Sequence, residues 1–229
     1  SKHNYAPFWG ADGGNIYYTS NRKDPTEFGL FIYDFDQQKE KEIVLDGETM
    51  GEISVSDVSM DGKKLLCFGQ QKGTGLGELY FVDISERRLH PLTKNRFLEW
   101  GGVFSPDEKW LAYTSEKDME GSFAIYLNRF PEMNREIRIS AGGGEEPKWL
   151  PDGSGVYYRN GSQWMKVSLK LDGEPEIGEP ELFFEGDYLN VWGPSHDIFP
   201  DGRILLLKGE EWVPPTEIDV IINALDVDP

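Results

Sequence analysis

A β-propeller built from four-stranded antiparallel blades is the fold this sequence predicts, and three observations carry the prediction. An Asp recurs as Asp12, Asp61, Asp107, Asp152 and Asp201, at intervals of 49, 46, 45 and 49 residues, which is the length of one four-stranded blade. An apolar residue stands three places before each of them: Trp9, Val58, Phe104, Trp149 and Ile198. No segment carries the apolar spacing of a long amphipathic helix, and no low-complexity linker divides the chain.

Within each unit the elements follow in a fixed order. A first strand ends at the apolar column, which is expected to face the core. Steps such as Ser105-Pro106-Asp107 or Asp152-Gly153 then close a hairpin, because Pro presets φ, Asp bonds its own backbone and Gly accepts a positive φ. Ser-Pro-Asp is therefore read as a turn and not as a chemical site. Short runs rich in aliphatic and aromatic residues come next, "NIYYTS", "KLLCFG", "WLAYTS", "GVYYRN" and "RILLLK", and read as buried second strands. Third strands follow in "GLFIYDFD", "GELYFVDI", "FAIYLNRF" and "QWMKVSLK", and fourth strands in "KEIVLD", "RLHPLT", "REIRIS" and "PELFFEG". The five units cover about residues 5–48, 49–95, 96–142, 143–190 and 191–224 of a single domain, 1–229. The last is incomplete: "HDIFPDG", "RILLLKG" and "TEIDVIINA" supply three strands. Either the ring closes with a three-stranded blade or these units are part of a six-bladed or larger ring. An open sheet edge would invite pairing with a second copy.

Charge narrows the partners. Lys and Arg number 23 against 41 Asp and Glu, a formal net charge of −18, and such a field repels phosphate backbones and anionic lipid. Nucleic acid and membrane insertion are not expected, since no apolar run approaches the roughly 20 residues of a span. The lone Cys67 sits in the apolar run "KKLLCFG" and reads as a small buried hydrophobe; with one cysteine there is no disulfide framework.

The repeat, and above all "EEPKWLPDGSGVYYRNGSQWMKVSLK" through "HDIFPDGRILLLKGEEWVPPTEIDVIINAL", resembles the TolB-like propeller repeats with the Ser-Pro-Asp-Gly turn. Such repeats also occur in tricorn-type proteases and bacterial sensor proteins. The chain is most like the C-terminal part of propellers attached to bacterial serine/threonine kinases and regulators. There an Asn-Trp-Phe-type tail usually follows, whereas here Asn223 precedes Ala224 and Leu225. The resemblance implies a propeller that binds proteins, peptides or small ligands, or that gates a catalytic domain, and it favours an extracytoplasmic or periplasmic location.

Several local patterns have simpler readings. Ser154 and Ser162 lie in hairpin turns with no strand-to-helix elbow around them. "KGTGLGE", residues 72–78, places its Lys before the glycines and leads into a strand, so it is a hairpin loop and no phosphate cradle. His3, His90 and His196 share no ligand spacing, and Asp34 and Asp36 lack a calcium-loop frame. The Asn160-Gly161-Ser162 sequon reads as a turn.

The remaining candidates are geometric. First strands line the axial channel of a propeller, and ligands collect at its mouth. Residues at or just before those strands include Tyr5, Ser54 and Asp57, and the ligand set expected at the mouth combines the carboxylates Glu99, Glu145, Glu146 and Asp197 with Trp100, Trp192 and His196. Carboxylates interleaved with Trp suit a basic peptide or a cation such as calcium, through ion pairing and cation–π contact. The function expected is a non-catalytic module recognising a protein or peptide within a larger sensor or envelope assembly. A gating propeller of a protease or kinase is the alternative. A hydrolase or lyase, with Glu99, Glu145, Glu146 and His196 as acid and base, is a second one.

Overall fold

The computed structural model describes residues 3–24, 26–43, 45, 50–71, 77–119, 122–191 and 195–209, and among them there is no helix. The strands fall into consecutive antiparallel sheets. The first holds β1 (Asn4–Trp9), β2 (Asn15–Asp24), β3 (Glu27–Asp34) and β4 (Lys39–Ile43); the second β5 (Met50–Val58), β6 (Lys64–Gln71), β7 (Gly77–Asp83) and β8 (Arg88–Pro91). The third holds β9 (Glu99–Phe104), β10 (Trp110–Met119), β11 (Ser122–Arg129) and β12 (Ile137–Arg138). In the fourth, β13 (Glu145–Trp149), β14 (Gly155–Asn160) and β15 (Gln163–Lys170) are followed by two short strands, β16 (Glu176–Ile177) and β17 (Glu181–Glu185), which both pair with β15. The fifth is the hairpin of β18 (His196–Ile198) and β19 (Ile204–Leu206). The "TEIDVIINA" strand of the last unit lies outside the described residues.

Turn chemistry sets the β1–β2 type hairpins. In each, the Asp carboxylate accepts the amide proton two residues on: Gly14 at 2.9 Å, Lys63 at 3.0 Å, Lys109 at 3.2 Å, Ser154 at 2.9 Å and Arg203 at 3.1 Å. Gly13, Gly62, Gly153 and Gly202 take the positive φ after the Asp; in the third turn Glu108 does so, at φ 56°. Asp34 serves a later turn, accepting the amide of Gln37 at 2.8 Å.

Apolar faces of successive sheets meet in three cores. Tyr17 and Leu30 pack on Ile53, Leu65, Cys67 and Tyr80; Leu66 and Leu79 pack on Phe104, Leu111, Tyr113 and Tyr126; Trp110, Ala112 and Ile125 pack on Trp149, Val156 and Tyr158. Cys67 is fully buried and burial pushes its thiol upward, so it behaves as a hydrophobe. Sheets stacked face to face in chain order with their first strands innermost are the arrangement of a propeller.

The apolar column does not behave uniformly. Phe104 and Trp149 are buried, Val58 and Ile198 are half-buried, but Trp9 is 51% exposed. The column packs each sheet onto its predecessor, and among the described residues no sheet is stacked on that side of β1–β4.

Candidate functional site at the channel

The geometry begins with a bulge repeated in every complete first strand. Registers slip between Tyr5 and Phe8, Val55 and Asp57, Trp100 and Val103, and Glu145 and Lys148. An extra residue on one strand bends it and re-aims its side chains. Three bulges place their first residue in the left-handed region: Ala6 at φ 50°, Gly101 at 62° and Glu146 at 55°. Gly101 does so without strain; at Ala6 and Glu146 the conformation is held against its own cost by the surrounding structure, because L side chains rarely adopt it.

The bulge separates two rings of side chains. Seven residues before the turn Asp stand Tyr5, Ser54, Trp100 and Glu145, at the mouth; four before it stand Phe8, Asp57, Val103, Lys148 and Asp197, nearer the turns.

At the mouth Tyr5 donates to Glu52 at 2.6 Å and packs edge-on to Phe28. Trp100 is half-buried, edge-on to Phe123 at 5.8 Å. Glu145 is also half-buried; burial raises its carboxyl and neighbouring Glu146 adds to the rise, while Arg159 and Asn190 oppose it. Gly101 and Pro147, from the adjacent bulges, stand side by side, with 3.9 Å between a Cβ built on Gly101 and Pro147 Cδ. Trp100 and Glu145 thus occupy one step of neighbouring strands.

Glu146 points instead into the seam between the fourth and fifth sheets. Its Oε2 accepts from the Ser195 amide at 3.3 Å and the Ser195 hydroxyl, and lies 3.3 Å from His196 Nδ1. The imidazole is enclosed and sits edge-on to Trp164, 4.5 Å between centroids. Burial holds it below the ordinary histidine value despite the pull of Glu146. Arg159 backs the seam, donating to the carbonyls of Gly161, Tyr188 and Leu189. Among the described residues, Glu146 Oε1, His196 Nε2 and Trp164 Nε1 are buried and find no hydrogen-bond partner.

Glu99 stands apart from all of these. It is fully buried where the segment leaving the second sheet meets β10, with Ser115 donating to it at 3.3 Å; burial raises its carboxyl, against the polar neighbours Thr93, Asn95 and Ser115.

Asp197 belongs to the turn-side ring, 3.5 Å from Lys148 Nζ. The Lys148 ammonium also stands 5.9 Å over the Phe8 ring, bringing the first and fourth sheets together at the axis. Asp57 accepts the Phe104 amide at 2.7 Å and the Val58 amide at 2.8 Å. Burial pushes its carboxyl up to about 6, with Asp197 adding to the rise and Lys148 and the two amides opposing it. The expected set is therefore divided: Trp100 and Glu145 half-buried on the ring before the bulge, Glu146 and His196 in a seam, Asp197 exposed on the turn-side ring and Glu99 buried where the second and third sheets meet. Trp192 lies outside the described residues. Sequence reasoning missed Lys148, Ser195, Arg159 and Trp164, of which only Lys148 had a signal, its place four residues before a turn Asp.

No protein-family model and no curated protein matches the sequence. Solved structures do. TolB from Acinetobacter baumannii is 20% identical, with a TM-score of 0.64 over 89% of this chain and 48% of its own. A protein from Agrobacterium tumefaciens described as a TolB is 16% identical, with a TM-score of 0.62 over 90% of this chain and 89% of its own. An oligogalacturonate lyase from Vibrio parahaemolyticus is 16% identical, with a TM-score of 0.60 over 86% and 56%. The chain thus spans about half the length of the Acinetobacter and Vibrio proteins and most of the Agrobacterium one. At such identities the likeness is one of fold: this chain is an all-β propeller of the kind seen in TolB.

Proposed function

We propose that the chain is a non-catalytic binding module that takes a basic segment of a protein or peptide at the mouth of its channel. The observation that carries this reading is that Trp100 and Glu145 hold the same place in the repeat on adjacent first strands, each half-buried, on a chain of net charge −18. A cationic side chain gains there from an aromatic face and from a carboxylate that burial makes eager for a partner. The acid and base candidates support the same reading, because Glu99, Glu146 and His196 are engaged in holding strands and sheets together. The charge of the chain also steers basic partners toward it.

A place in a larger sensor or envelope assembly outside the cytoplasm fits the fold, and so does a gating role within a longer protein. Among the described residues no three His, Cys, Asp or Glu gather as a metal ion requires, so the reading rests on cationic side chains, with calcium as a competitor to be tested. No helix among the described residues is long and apolar enough to cross a membrane.

Calorimetric titration with an Arg- and Lys-rich nonapeptide, its Glu-substituted counterpart and calcium chloride tests the proposal. The basic peptide is expected to bind, more weakly as salt rises. Equal binding of both peptides, or of neither, would refute it.

A further inference from the structure

The outermost strand of a sheet presents unpaired amides and carbonyls, and the first three sheets blunt theirs. β4 alternates Lys and Glu up to Ile43, β8 begins at Arg88 and ends at Pro91, and β12 is two residues long. In the fourth sheet β16 is equally short. β17 differs from all of them: it runs for five residues, Glu-Leu-Phe-Phe-Glu, with neither Lys nor Pro inside it. It pairs with β15 on one side, and among the described residues no strand pairs with its other side.

The apolar centre of this edge is open, and acids surround it. Leu182 and Phe183 are 53% and 50% exposed. The register against β15 slips at Phe183, whose ring lies 5.0 Å from that of Tyr157 and keeps half of its surface in water. Glu179, Glu181, Glu185 and Asp187 are all exposed. Nearby Glu174 and Glu176 hold Arg135 and Lys170, but among the described residues none of these four has an ion-pair partner.

We infer that β17 is a docking edge for an extended segment of another protein, apolar in its middle and basic at both ends, which adds to the fourth sheet as an outer strand. Charge decides between the occupants. Were two copies to pair antiparallel about Phe183, Glu181 of one would face Glu185 of the other at both ends; were they to pair parallel, each Glu would face its own copy. Like charges directly opposite destabilise either arrangement. A segment with Lys or Arg at its ends gains opposite-charge pairs instead, and its apolar middle covers Leu182 and Phe183. β17 lies at the far end of the sheet from Glu145 on β13, so the inference stands apart from binding at the mouth.

Peptide titration tests the inference. The probe is a synthetic peptide with a valine-rich middle and paired Lys at each end, titrated beside its Glu-ended counterpart against Glu145→Gln, so that the result reads the edge and not the mouth. The Lys-ended peptide is expected to bind and the Glu-ended one not. Adding Glu181→Lys and Glu185→Lys should reverse the preference, by about tenfold or more for each peptide. N-methylation of alternate amides of the Lys-ended peptide should abolish binding in one frame and spare it in the other, because only one set of amides faces β17. Binding of neither peptide, a preference that survives the charge reversal, or equal effects of the two methylation frames overturns the inference. So does a parent chain that is a dimer by light scattering and a monomer as Leu182→Lys, which makes a second copy the occupant. The methylation series needs no substitution in β17 and stands whether or not the charge-reversed variant folds.

Discussion

Asp57 on β5 accepts the amide proton of Phe104 on β9 at 2.7 Å, so one carboxylate at the axis ties the second sheet to the third. The bond is made by a side chain that burial strips of water, and its carboxyl titrates near 6 instead of near 4. A carboxyl whose folded value is raised favours folding below its unfolded value, and that contribution is lost as pH rises through about 6. Its size is on the order of 3 kcal/mol, at ~1.4 kcal/mol for each pH unit between the folded and unfolded values. Urea unfolding between pH 4.5 and 7 should show it: Asp57→Asn is expected to gain stability relative to the parent as pH rises across this window. A constant difference would contradict the assignment.

His196 has the opposite sign. Its folded value lies below the ordinary one because burial disfavours the imidazolium, so its contribution is present above about pH 6.5 and is lost as pH falls below that. His196→Gln should remove this loss, leaving the variant less sensitive than the parent to acidification from pH 7 to 5. A parallel pair of curves would place the imidazole in water.

Equivalent positions should differ in cost. Phe104→Ala empties a site filled by the second sheet and is expected to cost about 3 to 5 kcal/mol, whereas Trp9→Ala, at the same place in the repeat, should cost about 1 kcal/mol or less because half of its surface already faces water. Thermal denaturation of the two variants checks this. A large loss for Trp9→Ala would mean that its face is covered.

Gly144 shows where close packing forbids a side chain. At φ 159° a Cβ there would stand 2.7 Å from Tyr158 Cδ2 and 3.0 Å from Ile125 Cγ1, inside the core between the third and fourth sheets. Gly144→Ala is expected to cost about 1 to 3 kcal/mol by overpacking, read as a lower urea midpoint at an unchanged slope.

The blade repeat was legible because its signals are local. An Asp that bonds an amide two residues away, a Gly that takes positive φ and a run of aromatic and aliphatic residues all act within a single hairpin. The site was legible only in part. Glu99 and Trp100 are adjacent in sequence, yet Glu99 is buried where the second and third sheets meet and Trp100 is only half-buried, because strand neighbours alternate and the bulge then re-aims the residues beyond it. Nothing local announces a left-handed Glu146 or Ala6. The partners of Asp57 and Glu146 lie 47 and 49 residues away, one blade on, and only alignment of the units by their turn Asp brings Phe8, Asp57, Val103, Lys148 and Asp197 into one ring.

Binding at the mouth implies a division of labour between adjacent carboxylates, Glu145 receiving the partner and Glu146 holding the seam. The most direct test measures unfolding free energy and basic-peptide affinity on Glu145→Gln and Glu146→Gln side by side. Glu145→Gln is predicted to weaken binding about tenfold, or ~1.4 kcal/mol, with little change in stability. Glu146→Gln should lose about 2 kcal/mol of stability, as expected for a buried charged acceptor, and keep its affinity. An affinity loss confined to Glu146→Gln would move the binding site into the seam and contradict this division.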